Sequence, residues 1–208
     1  MIAIIDYDAG NIKSVEKALQ FLGVDALITR DREKILGADK VILPGVGAFG
    51  DAMEKLHSYQ LVDTIREVVK RKIPFLGICL GLQLMFESSE EAPGVEGLGL
   101  LQGEIVRIPD APGLKIPHIG WNSLKYPNRG RLFQNLQEEA YVYFVHSFYL
   151  KAKDPAIVTA TTEYGGTLIH ASVEKDNIFA CQFHPEKSSD VGMTILKNFI
   201  HLNREEQA

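Results

Sequence analysis

The stretch "IPFLGICLGLQ", residues 73–83, decides how the rest of the chain is interpreted. Its first half is a continuous apolar run, as in a strand covered on both faces, and its second half opens a helix. Cys79 lies at the junction, in a G-x-C-x-G motif. A strand followed at once by a helix, with glycines beside the central residue, is typical of the sharp turn that exposes a nucleophile. The same motif also fits a buried structural cysteine, so these residues alone leave both interpretations open.

The first half of the chain alternates apolar runs with amphipathic segments. This β-α-β rhythm predicts a parallel sheet with helices on both sides. Strands are expected at 2–6, 24–29, 40–44 and 73–79, and helices at 11–23, 61–71 and from residue 80. The second half is strand-rich up to a final helix at 191–202. We therefore predict one α/β domain over residues 1–208, a mostly parallel, flavodoxin-like sheet with an additional antiparallel β portion.

Composition limits the class of protein. The chain has 208 residues, 46% of them hydrophobic, and a formal net charge of −5. No cluster of basic residues favours a nucleic-acid partner, and no apolar run approaches the roughly 20 residues of a membrane span. The first residues have no basic leader and are interpreted as a buried strand. We expect a cytoplasmic protein that binds neither nucleic acid nor membrane.

The chain has two cysteines, Cys79 and Cys181. A cytoplasmic chain of this size has no need of a disulfide. Cys181 and His184 have a C-x2-H spacing, but a structural metal site uses four ligands, so we predict no metal and no cofactor. Cys181 lies inside an apolar strand without a glycine turn, and we interpret it as a core residue.

A candidate base for Cys79 lies in "FHPE", residues 183–186. In an extended chain residues i and i+2 point to the same side, so His184 and Glu186 share a face. A carboxylate beside an imidazole can orient it and stabilise the imidazolium. The combination of nucleophile, base and carboxylate makes the catalytic interpretation of Cys79 much more specific.

The stretch "PGVGAFG", residues 44–50, matches the G-x-G-x-x-G fingerprint of dinucleotide sites. That fingerprint belongs to the first βα turn and needs an acid at a strand end about 20 residues later, and neither condition holds. A turn of backbone N–H groups that faces Cys79 fits better. It would form half of an oxyanion hole, and the N–H of Leu80 would form the other half.

The stretch "KIPHIGWN", residues 115–122, contains the single tryptophan, Trp121. A tryptophan in a loop is usually packed against the core, and this is the simpler interpretation. An exposed side chain at this position would instead indicate an interface anchor.

At this point the motifs resemble those of a known family. "GICLGLQ" with a downstream "FHPE" resembles the class I glutamine amidotransferases, which use a Cys-His-Glu triad. Within that class, several further stretches resemble the glutaminase subunits of imidazole glycerol phosphate synthase, an enzyme of histidine biosynthesis. These stretches are "DYDAGN", "PGVGAFGDAM", "KIPHIGWNSL", "YFVHSFY" and "CQFHPEKS".

The resemblance implies a role for each matching residue. Cys79 would attack the side-chain amide of glutamine, with His184 as base and Glu186 as the residue that orients it. The backbone N–H groups of Leu80 and of Val46 or Gly47 would hold the oxyanion. The remaining contacts to glutamine would come from Gln83, Glu91, His146, Ser147 and Phe148.

The resemblance also implies a partner. Ammonia would pass to a separate (β/α)8-barrel cyclase subunit, which makes imidazole glycerol phosphate and AICAR, and the two subunits would form a heterodimer. The contacts to the cyclase would be Asn11, His118, Trp121 and Lys187. Val46 stands where most related amidotransferases have a second glycine, and a Cβ restricts the backbone there. We expect the oxyanion turn to rest with its N–H turned away until the partner binds substrate.

Two alternatives remain at this stage. The chain could be the glutaminase of another synthase, of the pyridoxal phosphate or anthranilate type, since all would share the triad. It could also be a non-catalytic protein in which Cys79 is a redox-sensing thiol. His184, Glu186 and Gln83 argue against the second alternative, because a sensor needs neither a carboxylate-oriented base nor a contact to a substrate amide.

Overall fold

The computed structural model describes residues 1–202 and contains twelve strands and six α-helices in that range. The strands are β1 Ile2–Ile5, β2 Ala26–Thr29, β3 Lys40–Leu43, β4 Phe75–Ile78, β5 Ser88–Ser89, β6 Gly103–Arg107, β7 His118–Ser123, β8 Tyr141–His146, β9 Phe148–Ala152, β10 Val158–Tyr164, β11 Thr167–Lys175 and β12 Ile178–Cys181. The helices are α1 Ile12–Phe21, α2 Arg32–Leu36, α3 Phe49–Ser58, α4 Leu61–Lys70, α5 Leu80–Leu84 and α6 Ser189–His201.

The first half forms the parallel part of the main sheet, in the order β2-β1-β3-β4-β12. Strand β4 is central, since Leu76 pairs with Ile42 of β3 on one side and with Phe179 of β12 on the other. The order 2-1-3-4 is that of flavodoxin-like sheets, in which ligands bind at the carboxyl ends of the strands. The segments that follow β1, β3, β4 and β12 therefore meet at one edge.

The sheet is covered on both faces, as the apolar runs predict. Along β1 the side chains alternate: Ala3 and Ile5 pack with helices α3 and α4, whereas Ile2 and Ile4 pack with α1 and α6. Side chains of a strand point alternately to opposite faces, so a strand buried on both faces has no polar position.

The second half extends the sheet with antiparallel strands. β12 is parallel to β4 but antiparallel to β11, and β9 and β6 continue the sheet beyond β11. β10 pairs with β11 outside this path. The predicted fold class, a mostly parallel sheet with an antiparallel addition, is confirmed.

The hairpin of β7 and β8 was not predicted. From the residues alone, 115–122 is interpreted as a loop, and the apolar stretch YVYFVHSFYL, residues 141–150, is typical of one continuous strand. In the structure 118–123 is a strand that pairs with β8 in a separate two-stranded sheet, and the chain breaks at Ser147 before β9 joins the main sheet. Apolar residues lie on both sides of Ser147, so the hydrophobic pattern does not reveal that the chain moves from one sheet to another there.

Among residues 1–202, the structure contains no helix that is both long and apolar enough to cross a bilayer.

The junction of β4 and α5 is closely packed. A Cβ atom on Gly77 would lie 2.6 Å from Cε of Met85, and one on Gly81 would overlap the carbonyl oxygen of Leu43. Neither glycine has a positive φ. Both glycines of the G-x-C-x-G motif are therefore required by the close approach of the backbone, and the unusual dihedral angles fall on Cys79 itself.

We predict that Gly81→Ala lowers the free energy of unfolding by about 3 kcal/mol, the upper end for overpacking, because the new methyl group meets a backbone atom that cannot move aside. This corresponds to roughly 6–12 °C in a thermal melt of a chain of this size. Gly94→Ala is the control: its φ is +84° but no atom lies within 4 Å of the added Cβ, so the loss is about 1 kcal/mol. Equal losses for the two variants would contradict this account of the turn.

Candidate active site

Cys79 occupies a strained turn between β4 and α5. Its φ is 54° and its ψ is −107°, a combination that costs a residue with a Cβ about 1–3 kcal/mol. Backbone hydrogen bonds hold the turn, since Cys79 N donates to the Cys181 carbonyl at 2.8 Å and Leu82 N donates to the Cys79 carbonyl at 3.0 Å. The sharp turn predicted from the motif is present, and the surrounding sheet supplies the energy that maintains it.

The thiol borders a cavity of about 300 Å³ at the carboxyl edge of the sheet. Its lining contains the predicted nucleophile, the predicted oxyanion residues and all the predicted glutamine contacts. It consists of Val46, Gly47, Cys79, Leu80, Gln83, Glu91, Pro117, Val145, His146, Ser147 and Phe148. Of these, only Pro117 and Val145 were not singled out in the sequence analysis.

His184 and Glu186 lie directly behind the thiol, next to the end of β12. His184 Nδ1 is 2.8 Å from Glu186 Oε1, and the two side chains are 1% and 0% exposed. Within the described part of the chain, His184 Nε2 has no hydrogen-bond partner. The ring is thus held by the carboxylate through one nitrogen, and the other nitrogen is left for proton transfer.

The backbone at this pair differs from the expectation. The prediction that His184 and Glu186 share a face depends on an extended chain, whereas residues Pro185–Lys187 form a turn of 3-10 helix. Proline is favoured at the first position of a helix, because its φ is already set and it has no N–H to leave unbonded. The contact between imidazole and carboxylate forms nevertheless.

The electrostatics of His184 favour the imidazolium. Burial lowers its pKa, but the nearby Cys79 sulfur and the Glu186 carboxylate outweigh burial and raise the pKa to about 9. A proton held more tightly in the folded state stabilises the fold. This contribution is complete below about pH 6.5, the value of free histidine, and is lost as the pH rises through about 9.

The turn after β3 carries two of the predicted oxyanion residues, Val46 and Gly47, and its Gly45 carbonyl engages the third donor, Leu80 N–H. Leu80 N donates to the Gly45 carbonyl at 3.3 Å. Gly47 has a φ of +119°, which requires a glycine, and Val46 is 37% exposed. The Leu80 N–H, the better defined half of the predicted hole, therefore points at protein backbone and not at an open site.

The loop that follows β1 packs against this turn. Tyr7 OH donates to the Pro44 carbonyl at 2.8 Å, and a side chain on Gly45 would overlap the Tyr7 hydroxyl. A Cβ on Gly10 would lie 2.7 Å from Cγ2 of Val46. Tyr7 and Gly10 were missed by the sequence analysis, because their contacts join segments about 37 residues apart.

Glu91, assigned from the resemblance alone, has a visible structural role. Its Oε2 accepts from Phe49 N at 2.8 Å, at the first residue of α3, where Ala48 provides no side-chain cap. A carboxylate is well placed at a helix N-terminus because it meets unbonded N–H groups and the positive end of the dipole. Glu91, one of the predicted glutamine contacts, is thereby joined to the helix that follows the predicted oxyanion turn.

The residues predicted to contact a partner differ in exposure. Trp121 is 52% exposed on strand β7, which is incompatible with the packed loop tryptophan expected first and fits an interface anchor. Lys187 is also exposed. Asn11 donates to Glu186 Oε1 at 2.6 Å and so contacts the triad itself. His118 is only 2% exposed, between the rings of Phe144 and Tyr164, and its side chain does not reach the surface.

Cys181 has the features of a core residue. It is fully buried, its Sγ lies 3.9 Å from the Gly77 carbonyl, and burial raises its pKa well above that of a free thiol. A thiol of this kind is inert. In the range 1–202, no three His, Cys, Asp or Glu side chains are grouped so as to hold a metal ion, and we assign no residue to one.

We predict that Cys79→Ser lowers the pKa of His184 below about 9, because the variant removes the sulfur whose interaction with the ring raises that pKa. The measurement is an NMR titration of the imidazole C–H resonances. Cys181→Ser serves as the control and leaves the His184 midpoint in place. A midpoint that is the same in Cys79→Ser and in the wild type would contradict the charge interaction.

Known proteins match the chain over nearly its whole length. The model of the family "Glutamine amidotransferase class-I" matches residues 3–202. The chain is 48% identical over 206 residues to imidazole glycerol phosphate synthase subunit HisH of Thermosynechococcus vestitus, covering 98% of each chain. It is 51% identical over 203 residues to the HisH subunit of Moorella thermoacetica, covering 98% of this chain and 95% of the other.

Solved structures agree on the fold. The structure of PurLQS from Thermotoga maritima contains a chain that superposes with a TM-score of 0.74 at 20% identity, covering 96% of each chain. At that identity the likeness establishes the architecture alone. The family match and the HisH identities go further: this chain belongs to the class-I glutamine amidotransferase family and, within it, to the HisH proteins.

Proposed function

We propose that this chain hydrolyses glutamine at Cys79 and delivers the ammonia to a separate subunit of imidazole glycerol phosphate synthase. The chain is a glutamine amidotransferase, and its HisH relatives are subunits of that synthase. The observation that carries the residue assignment is the arrangement at the end of β4. The thiol of Cys79, on a strained turn, borders the cavity and interacts with His184, which is hydrogen-bonded to Glu186.

In the first half of the reaction, the Cys79 thiolate attacks the carboxamide carbon of glutamine. A C–S bond forms, the carbonyl oxygen becomes an oxyanion, and the backbone N–H groups of Leu80 and of Val46 or Gly47 hold it. The His184 imidazolium then gives its proton to the amide nitrogen. The C–N bond breaks, ammonia leaves, and a γ-glutamyl thioester remains on Cys79.

In the second half, neutral His184 takes a proton from water, and the resulting hydroxide attacks the thioester carbon. The C–S bond breaks, the product leaves as the γ-carboxylic acid and loses its proton to water to become glutamate, and the pair returns to thiolate and imidazolium. Glu186 keeps the ring oriented throughout, since Oε1 accepts from Nδ1 in both protonation states. The pKa of His184 near 9 favours the imidazolium at the start of the cycle.

The oxyanion hole has to be completed before the first half can run efficiently. The bond from Leu80 N to the Gly45 carbonyl uses one donor of the hole. We propose that the peptide between Gly45 and Gly47 turns when the partner binds its own substrate, which frees Leu80 N–H and brings a second N–H toward Cys79.

The partner in this proposal is a (β/α)8-barrel cyclase that consumes the ammonia, and the two subunits form a heterodimer in the cytoplasm. The exposed Lys187 directly follows Glu186, and Asn11 donates to Glu186. The exposed Trp121 pairs with Tyr143, whose carbonyl accepts from His184 N at 3.0 Å. This supports an interface on the same side as the active site, so that ammonia does not cross bulk water. We assign the whole chain, 1–208, to one domain.

The alternative synthases considered above are less well supported. Relatives that are 46% to 51% identical over most of the chain carry the HisH name. A redox-sensing cysteine needs no oriented base, so a protein without catalysis would leave the buried Glu186 carboxylate unexplained. Burial of a carboxylate costs free energy unless the group is paired, as it is here with His184.

We predict that Cys79→Ser abolishes ammonia release from glutamine, whereas Cys181→Ser leaves it close to wild type. The reason is that Cys79 borders the cavity beside an oriented imidazole and Cys181 is sealed in the core. Ammonia is measured in a coupled assay with the complete synthase. The reverse pattern would assign the nucleophile to Cys181 and overturn the proposal.

We also predict that glutamine hydrolysis depends on the partner. One missing oxyanion donor typically costs a factor of about 10² to 10³, so addition of the cyclase subunit with its nucleotide ligand is expected to raise the rate by at least about 100-fold. The rates are measured on the chain alone, with the cyclase, and with cyclase and ligand. Equal rates in all three would mean that the observed turn is already competent.

A further inference from the structure

Gln182, which the mechanism above does not use, is completely buried beside the predicted nucleophile. It directly follows strand β12. Its Nε2 lies 3.6 Å from Cys79 Sγ, and its Oε1 accepts from Gln83 Nε2 at 3.0 Å. Both ends of the amide are therefore engaged, which is how a buried primary amide avoids the cost of unmet hydrogen bonds.

A backbone carbonyl fixes which end of the amide faces the sulfur. The Phe148 carbonyl can only accept, so the Gln83 atom that lies 3.1 Å from it is the donor Nε2. The same nitrogen lies 3.0 Å from the Gln182 side chain, and the atom it meets there is the acceptor Oε1. The remaining end of Gln182, the donor Nε2, is thereby turned toward Cys79 Sγ.

Two histidines in the same network are compatible with this orientation of the Gln182 amide. His146 Nδ1 lies 2.8 Å from the Phe148 carbonyl and so carries its proton there, and His146 Nε2 accepts from His118 Nδ1 at 3.1 Å. Burial lowers the pKa of His146 to about 3 and that of His118 to about 4. Both rings are neutral at pH 7, and no ionisation within this chain of hydrogen bonds reverses the amide.

We propose that Gln182 is a further catalytic residue, whose Nε2–H donates to the sulfur of Cys79 and stabilises the thiolate. The inference rests on the proposed function, in which Cys79 is the nucleophile. The sulfur carries charge before it attacks glutamine and again when the thioester breaks. His184 changes its protonation state during the cycle, whereas the Gln182 amide remains a neutral donor throughout.

A packing role alone does not explain this position. The strand that leads to it, Ile178–Cys181, is entirely apolar, and an amide placed after it costs free energy unless both ends are bonded. A methionine would fill the same space without that cost. Among the described residues, Cys79 Sγ is the partner found for Gln182 Nε2.

The test compares Gln182→Met with the wild-type chain in the alkylation of Cys79 by iodoacetamide across a pH series. Peptide mass spectrometry resolves Cys79 from Cys181. Loss of one hydrogen-bond donor to a charged sulfur is expected to raise the half-maximal pH of alkylation by about one unit. Below that midpoint the variant is expected to react about tenfold more slowly than the wild type. Tyr7, His184 and Cys181, the titratable groups that interact with Cys79, are unchanged in this variant.

Ser172→Ala is the matched control. Ser172 is fully buried on β11, pairs with Cys181 in the sheet and donates to the Ala180 carbonyl at 2.7 Å. The variant loses two buried hydrogen bonds nearby, this one and the one accepted from Thr159, but none at the sulfur. Its alkylation midpoint is expected to remain that of the wild type. A Gln182→Met midpoint equal to the wild-type value would overturn the inference.

An NMR measurement keeps the inference testable if Gln182→Met does not fold. In the wild-type chain, the side-chain amide protons of Gln182 are expected to shift with the same midpoint as Cys79 alkylation, and amide protons that stay constant would overturn the donation. The proposed function is judged separately by Cys79→Ser. Ammonia release that survives in Cys79→Ser defeats the proposed function, whereas a normal Gln182→Met profile with an inactive Cys79→Ser defeats only the inference about Gln182.

Discussion

The backbone of Cys79 is the constraint on which the site depends. A residue with a Cβ is held at a φ of 54°, and this is stable only because strands on both sides determine the turn. β12 supplies the carbonyl that binds Cys79 N, and β3 leads to the carbonyl that binds Leu80 N. The same two strands deliver His184 and the oxyanion turn. Strain at the nucleophile and assembly of the site therefore have one structural cause, the position of β4 between β3 and β12.

Polar groups buried around the thiol form a connected network and not a set of separate pairs. The Phe148 carbonyl accepts from both Gln83 and His146. It thereby fixes which atoms donate in two chains of hydrogen bonds, one that runs through Gln83 to the Cys79 sulfur and one that runs through His146 to His118. His118 lies on the same strand as the exposed Trp121. A partner that docks on this hairpin would thus contact an element joined to the nucleophile by hydrogen bonds.

Many features of the fold and of the candidate site could be predicted from the sequence, because they depend on residues that are close together in the chain. The G-x-C-x-G turn, the alternation of β1 and the two-residue spacing of His184 and Glu186 are local features. The bond from Leu80 N to Gly45, the support by Tyr7 and the orientation of Gln182 join segments brought together only by the sheet. The β7–β8 hairpin was not predicted for a related reason. Nothing in the residues around Ser147 shows that the chain pairs with one strand before Ser147 and with a different strand after it.

The energy needed to complete the oxyanion hole is small enough for an interface to supply. Turning the peptide after Gly45 breaks one hydrogen bond, worth about 0.5–1.5 kcal/mol net, and Gly47 accommodates the new dihedral angles without a Cβ. Reversing a population from 1:99 to 99:1 needs about 5.5 kcal/mol of differential binding, which a few buried contacts provide. In the proposed turn, the Cβ of Val46 restricts the backbone, and Gly10 leaves room for the Val46 side chain, since a Cβ there would lie 2.7 Å from Cγ2. If the proposed turn operates, the isolated chain would withhold ammonia at a cost of only a few kcal/mol in the complex that uses it.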